Sequence, residues 1–300
     1  MATEAAEAGD SLRESVGLSL VLPRGNPVTR IHNGIFYETH RVTPNNMWAL
    51  RFRALPFEKQ LGYDSFRTHD EIRHHIQPRP GRLVEVEFAR IRYKGEMVDI
   101  GVVTQEIADI SVDGQKKRGL SIGVKVVDPK FENRDIGTQL LIDALLEHDG
   151  IDFVTGRSRN GRVYRYLEKS FLIEKTFPLD GEFTPEIVEA LRQILDITNF
   201  KQIADLRIGL CVGIYPLADS ALFIAPKNNP AAERIVNRLT ELGVEPGGLN
   251  GLRYYAVVDK EAVMTARDKY AGNEILESTP RLSSLGTLRD KIVSLFPCRH

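Results

Sequence analysis

The stretch Val126-Val127-Asp128-Pro129-Lys130-Phe131-Glu132-Asn133-Arg134-Asp135-Ile136-Gly137-Thr138-Gln139-Leu140-Leu141 sets the architecture of this chain. An apolar run stops at Pro129, which cannot continue a strand ladder. A short polar turn follows. Apolar residues then recur at helical spacing, at Ile136, Leu140, Leu141, Ala144 and Leu145. The expected order is strand, tight loop, helix. The first turn of such a helix carries backbone N–H groups without intrahelical partners, at the positive end of the dipole. It therefore favours a phosphate or pyrophosphate. Gly137 and Thr138 lie in that turn, the latter adding a hydroxyl.

Upstream, Leu83 to Tyr93 sets Val84, Val86, Phe88 and Ile91 against Glu85, Glu87, Arg90 and Arg92, the period of a half-buried strand. Lys94-Gly95 and Asp113-Gly114 are turn dipeptides. They make Met97–Ile110 and Gly119–Val127 the next strands of an antiparallel meander. Ile31–His40 predicts a first strand. Thr43-Pro44 predicts the start of a helix across Met47–Leu61, with Gly62 as its stop. Phe66–Ile76 predicts a second helix carrying His69, His74 and His75. Adjacent histidines point about 100° apart on a helix, and no His-x-x-x-His pair with an acidic base is present, so no metal site is expected.

Downstream, the helix from Ile136 runs to His148 and closes at Gly150. A strand over Ile151–Thr155 follows, then a helix over Arg162–Lys169 and a strand over Phe171–Thr176. Strand, helix, strand implies a parallel pair joined by a right-handed crossover. After Pro178 the character changes. Helices are expected from Thr184 to about Asp196, over Pro230–Gly243, Asp259–Tyr270 and Leu288–Phe296. Strands are expected over Arg207–Tyr215, Ala221–Ala225 and Tyr254–Val258. The expected organisation is a lead-in over residues 1–27, a main domain over 28–178, and a smaller C-terminal α/β domain over 181–300.

The residues around the loop resemble the GCN5-related N-acetyltransferase (GNAT) family. Val127-Asp128-Pro129 matches its apolar-x-Pro strand end. Ile136-Gly137-Thr138-Gln139-Leu140-Leu141 matches its helix start, and Tyr166-Leu167-Glu168-Lys169-Ser170-Phe171 its Tyr-Glu-Lys-x-Gly-Phe ending. Glu132 stands where the family has Arg or Gln, Asp135 where it has the first Gly, and Ser170 where it has Gly. The resemblance covers roughly residues 40 to 178. It implies an α/β (α+β) fold with a mixed, mostly antiparallel sheet flanked by helices. It implies N-acetyl transfer from acetyl-coenzyme A (CoA), by direct attack of an amine on the thioester. The backbone of Val126 and Val127 would pair with the pantetheine arm. Asn133, Arg134, Asp135, Ile136, Gly137 and Thr138 would hold the pyrophosphate, and Asn160 completes the cofactor set. The Asp135 side chain would turn back to cap the helix.

Tyr166 would protonate the departing thiolate, since a phenol near pKa 10 keeps its proton at neutral pH. Tyr164 is the alternative. The general base is open. Ser121 occupies the usual position, and Glu106 and Asp109 on the preceding strand are candidates. Phe52, Phe57 and Tyr63 lie where the family builds its acceptor pocket. Two other readings compete. One is a long-chain N-acyl amino acid or acyl-homoserine-lactone type synthase, suggested by Leu50-Arg51-Phe52-Arg53 and Leu61-Gly62-Tyr63. The other is a degenerate GNAT-fold binding or regulatory module.

Composition sets wider bounds. With 42% hydrophobic and 27% charged residues, the 300-residue chain can bury its own core without staples. A net charge of −1 provides no global basic field for nucleic acid. Cys211 and Cys298 form neither a disulfide framework nor a zinc spacing. No apolar run approaches the ~20 residues of a membrane span. The N-terminus lacks a basic n-region, so a cytoplasmic location is the default expectation. The expected partner is a small-molecule or protein amine. A homodimer is the assembly left open.

Overall fold

The computed structural model describes residues 27–59, 74–78, 80–131, 134–158, 160–198, 205, 207–212, 230–244, 248 and 250–271. In chain order the elements are β1 (Val28–His32), β2 (Ile35–Arg41), α1 (Met47–Lys59), β3 (Arg82–Tyr93), β4 (Glu96–Val112), β5 (Gln115–Val127) and α2 (Ile136–Glu147). Then come β6 (Ile151–Ser158), α3 (Gly161–Lys169), β7 (Ile173–Phe177), α4 (Pro185–Thr198), β8 (Leu210–Cys211), α5 (Pro230–Glu241), β9 (Gly251–Val258) and α6 (Lys260–Ala271).

The strands form one mixed, mostly antiparallel sheet in the order β1-β2-β3-β4-β5-β6-β9-β7, with β8 paired to β9. β1 to β5 are an antiparallel meander. All three of its tight turns, Asn33-Gly34, Lys94-Gly95 and Asp113-Gly114, have both central residues at positive φ. That geometry matches the twist of the flanking strands. The single strand expected over Ile31–His40 is therefore a hairpin, broken at Asn33-Gly34. β5 and β6 are the parallel pair, joined through α2.

Two apolar clusters flank the sheet. On one face, Val84, Val86, Phe88, Val102, Val124 and Val126 pack against Leu50, Ala54 and Phe57 of α1. Elsewhere, Ile187, Ala190, Leu191 and Ile194 of α4 pack on Ala108, Ile110, Phe153 and Tyr255. Phe153 stacks on Tyr255 with ring centroids 4.6 Å apart. The Phe153 ring fills the space over Gly119 that a Cβ would occupy.

The expected domain boundary near 178–181 does not separate the sheet. β9 lies between β6 and β7, hydrogen-bonded to both. The compact unit runs through Lys260. The physical reason is the free edge that β6 would otherwise expose. Leu252 to Ala256 is buried along its whole length, as a central strand requires. Of the strand expected over Arg207–Tyr215, Leu210–Cys211 is extended, and the residues from 213 onward lie outside those described. So do the strand over Ala221–Ala225, the helix over Leu288–Phe296, His69, Tyr63, Glu132 and Asn133. No described helix is long and apolar enough to cross a membrane.

The acidic face of β3 is not at the surface. Glu85 and Glu87 are buried, Glu87 completely.

Candidate active site

β5 and β6 pair in parallel from Arg118↔Ile151 to Ile122↔Gly156 and then part. β6 continues against β9, through Arg157↔Arg253 and Ser158↔Leu252. β5 stays with β4. At the parting point β5 carries a bulge, because Gly123 and Val124 both stand opposite Thr104, between the pairs Gln105↔Ile122 and Val103↔Lys125. The Val124 N–H donates to Thr104 Oγ1 at 2.8 Å. A bulge bends its strand and adds twist, which opens the gap.

Beyond the bulge, the Asp128 N–H donates across to Ile100 O at 2.8 Å. Peptide groups alternate along an antiparallel strand. Those of Val126 and Asp128 thus face β4, and those of Lys125 and Val127 face the edge that β6 has left. The Val127 peptide faces that open edge, whereas the Val126 peptide belongs to the β4 ladder and its side chain is buried in the α1 core.

Two glycines close the apex of the gap. A Cβ on Gly156 would lie 2.8 Å from Tyr254 Cζ and 3.0 Å from Ile122 O. On Gly123 it would collide with His75 and lie 2.6 Å from Thr104 Oγ1. Around this apex stand Tyr166 of α3 and Tyr254 of β9, whose phenols are hydrogen-bonded. Burial is the main cause that pushes Tyr166 well above the ordinary phenol range and Tyr254 up to about 12. Tyr164 has a different job. Its hydroxyl donates to Leu252 O at 3.0 Å and Ser158 O at 3.3 Å, tying α3 to β9 and β6. Its hydroxyl is thus committed to main-chain carbonyls inside the fold.

The helix α2 begins at the far end of the open edge. Asp135 occupies its N-cap with φ +55°, and its side chain makes no cap hydrogen bond. Its carbonyl accepts from the Gln139 N–H at 2.9 Å. The expected capping by Asp135 is therefore absent. The left-handed backbone explains it, since this is the conformation that glycine would adopt without a Cβ penalty, and Asp is among the few side chains that tolerate it. Ile136 is buried, and Gly137 and Thr138 are partly exposed at the first turn. Arg134 is exposed and stacks over Phe131, 5.2 Å from the ring centroid. Asn160 caps α3, its Oδ1 accepting from the Arg162 N–H at 2.9 Å. That side chain is committed to the helix start. Ser170 has φ −71°, so this position does not demand the family's glycine.

Sequence reasoning missed Lys125. Its ammonium lies 2.9 Å from the Tyr166 ring centroid and 3.3 Å from the point where a Gly137 Cβ would sit. Burial alone drives its pKa well below the ordinary lysine range. The bulge is why it was hidden, since simple alternation from Ile122 would turn Lys125 to the opposite face. Tyr254 was missed because it comes from the segment assigned to another domain.

The base candidates separate clearly. Asp109 is exposed and held in an ion pair with Arg118 at 2.7 Å. It is unsuited to proton abstraction in a cleft. Glu106 is buried opposite Ser121, accepts from Arg82 at 2.7 Å, and lies 3.9 Å from His75 Nδ1. Burial opposes its ionisation, but hydrogen bonds and charge from His75 and Arg82 prevail and hold it below the usual carboxylate range. His75 is 7% exposed and packs on Gly123, beside the gap. Phe57 belongs to the α1 core, and Phe52 is exposed.

No protein-family model matches the chain, and no curated protein matches it in sequence. Among solved structures, it is similar to Arabidopsis thaliana NAA60 in complex with a bisubstrate analogue. That match has 15% identity and a TM-score of 0.32, over 47% of this chain and 87% of that one. It is similar to an Enterococcus faecalis protein described as a probable N-acyltransferase, with 8% identity and a TM-score of 0.30, over 43% of this chain and 31% of that one. A GCN5-related N-acetyltransferase from Anabaena variabilis matches with 10% identity and a TM-score of 0.32, over 47% of this chain and 33% of that one. The chain thus spans about a third of the length of the latter two.

Proposed function

We propose that this chain is an acyl-CoA-dependent N-acyltransferase that transfers an acetyl group to a small-molecule or protein amine. The observation that carries the proposal is the open edge of β5. It leads from the bulge at Gly123 to the uncapped N-terminus of α2, with the Tyr166–Tyr254 pair at its apex. An acyl-pantetheine arm is an amide-bearing chain that can pair with the Lys125 and Val127 peptides as an added strand. Its diphosphate then meets the N–H groups of Ile136, Gly137 and Thr138. Glu132 and Asp135 put carboxylates into this loop. The Lys125 amine, close to Gly137, takes up a proton as the diphosphate enters and so supplies the counter-charge.

In the reaction the amine nitrogen attacks the thioester carbonyl carbon. The C–N bond forms and the C–S bond breaks. His75 acts from its neutral form, held in place by Glu106, and takes the amine proton. Tyr166 donates its proton to the departing thiolate and is recharged through Tyr254. His75→Gln and Tyr166→Phe should each lower kcat by about 100-fold with little change in donor binding.

The test is calorimetric titration with acetyl-CoA, beside a Gly137→Glu variant. Micromolar binding is expected, lost by at least tenfold in the variant, whose carboxylate would occupy the diphosphate position and engage Lys125. No binding by folded wild-type protein would overturn the reading. A second reading has one specific observation behind it. The Lys125 side chain already fills the cleft between Gly137 and Tyr166, as a degenerate binding module would allow. Lys125→Met separates the two. Weaker CoA binding supports the counter-charge, and unchanged absence of binding supports the module. Acetyl against long-chain acyl-CoA, compared by kcat/KM, tests the donor length.

A further inference from the structure

The face of the sheet beneath α2 holds a second constellation, away from the acyl-donor cleft. Glu85 and Glu87 stand two apart on β3 and project to the same face. α2 contributes Asp143 and Glu147, and His148 follows at its C-cap. Oxygens of Glu85 and Glu147 and a ring nitrogen of His148 all lie within 4.8 Å of one another. His148 Nε2 is 2.8 Å from Glu85 Oε2. Other polar contacts include Gln105 Nε2 donating to Glu85 at 3.3 Å, Gln139 Nε2 donating to Asp143 at 2.7 Å, and Arg30 to Glu147 at 3.1 Å.

The independent observation is Glu87. It is 0% exposed, and neither carboxylate oxygen has a hydrogen-bond partner. Its electrostatic neighbours are Asp143, Arg30, Glu147 and Glu85, so it faces this cluster. A buried carboxylate without a donor is among the costliest groups a protein can hold. Among the described residues, the carboxylates of Glu85, Glu87, Asp143 and Glu147 gather around the Arg30 guanidinium. The C-terminal end of α2 adds further negative potential. Lys125 shares a cross-strand row with Glu87, but β4 intervenes between them, and its ammonium is turned to Tyr166.

We propose that Glu85, Glu147 and His148 bind a divalent transition-metal ion, Zn2+ or Mn2+, with Glu87 and Asp143 supplying compensating charge beside it. Two carboxylates and an imidazole are a borderline donor set. They suit these ions better than Mg2+ or Ca2+, which take oxygen ligands. Such an ion cross-links β3 to the C-terminus of α2. It stabilises the helix whose other end forms the diphosphate loop. This inference is independent of the acyl-transfer reading, because its readouts need no substrate.

The experiment uses the full chain free of affinity tag, stripped with chelator and then titrated with Zn2+, Mn2+, Mg2+ or Ca2+. Thermal unfolding and elemental analysis after desalting are the readouts. Zn2+ or Mn2+ should bind at about one equivalent and raise the Tm by about 5 °C. Glu85→Gln and His148→Gln, both close in shape to the native residues, should abolish the bound equivalent and the shift. Binding retained in both variants would place the metal elsewhere and overturn the proposal. So would a shift with Mg2+ or Ca2+ equal to that with Zn2+ and Mn2+. Absence of any bound metal, with the three proteins equally folded, would leave the cluster neutralised by protons alone and also overturn it.

Discussion

Tyr164 and Tyr166 stand two residues apart on one short helix, in different surroundings. Tyr164 donates to two main-chain carbonyls and is sealed from solvent. Tyr166 meets another phenol and an ammonium at the mouth of the strand gap. Tyr164→Phe should therefore cost about 1–3 kcal/mol of stability, since two buried carbonyls lose their donor, and should leave kcat nearly unchanged. Tyr166→Phe should show the reverse. Urea unfolding and steady-state kinetics on the two variants decide it, and equal stability losses would refute the division. The same scale explains Asp135. Asp135 holds the positive φ that glycine adopts most readily.

At the scale of elements, a charged cluster joins β2, β3, β4 and α1. Arg53 of α1 reaches Asp99 at 2.8 Å and Glu38 at 2.9 Å while covering Phe88, its guanidinium 3.8 Å from the ring centroid. Arg90 reaches Asp99 at 2.9 Å and also Glu38. Burial acts to raise the Glu38 pKa, but hydrogen bonds from His40 and Arg53, with the charges of Arg53 and Arg90, hold it far below the usual range. A carboxylate depressed in the folded state contributes its stability above its unfolded pKa, near 4.3, and loses it as pH falls further. Glu106 behaves in the same direction. The urea midpoint should accordingly be flat from pH 7 to about 5 and fall steeply below about 4.3. Glu38→Gln should cost about 3 kcal/mol at pH 7, because it leaves Asp99 as the one carboxylate shared by Arg53 and Arg90 in this cluster, and should give a shallower acid limb. A variant with an unchanged pH profile would show the cluster to be incidental.

At the scale of the whole molecule, the placement of β9 decides what can be cut. It covers the free edges of β6 and β7 and delivers Tyr254 to the gap and Tyr255 to the stack on Phe153. A chain ended after Pro178, at the boundary that composition suggests, would bare both edges and lose the α4 packing. It should be recovered as aggregate. A soluble, cooperatively unfolding 1–178 fragment would contradict the single-sheet arrangement.

Much of this was legible locally. The meander followed from the period of two and from Lys94-Gly95 and Asp113-Gly114. The strand–loop–helix unit followed from Val126 to Leu141. These signals lie within a few residues of each other, so short-range stereochemistry determines them. Asn33-Gly34 carried the same signal and was passed over inside an apolar run. Other features depended on contacts between distant segments. β9 inserts into the sheet from about 75 residues beyond β7 in sequence. The bulge at Gly123 turns Lys125 to the face of α2, and His75 comes to rest on Gly123. The alternation of β3 was correct, but it could not tell which element covers Glu85 and Glu87. Sequence period assigns a residue to a face. Only tertiary packing decides whether that face meets water, an apolar helix or a charge-bearing one.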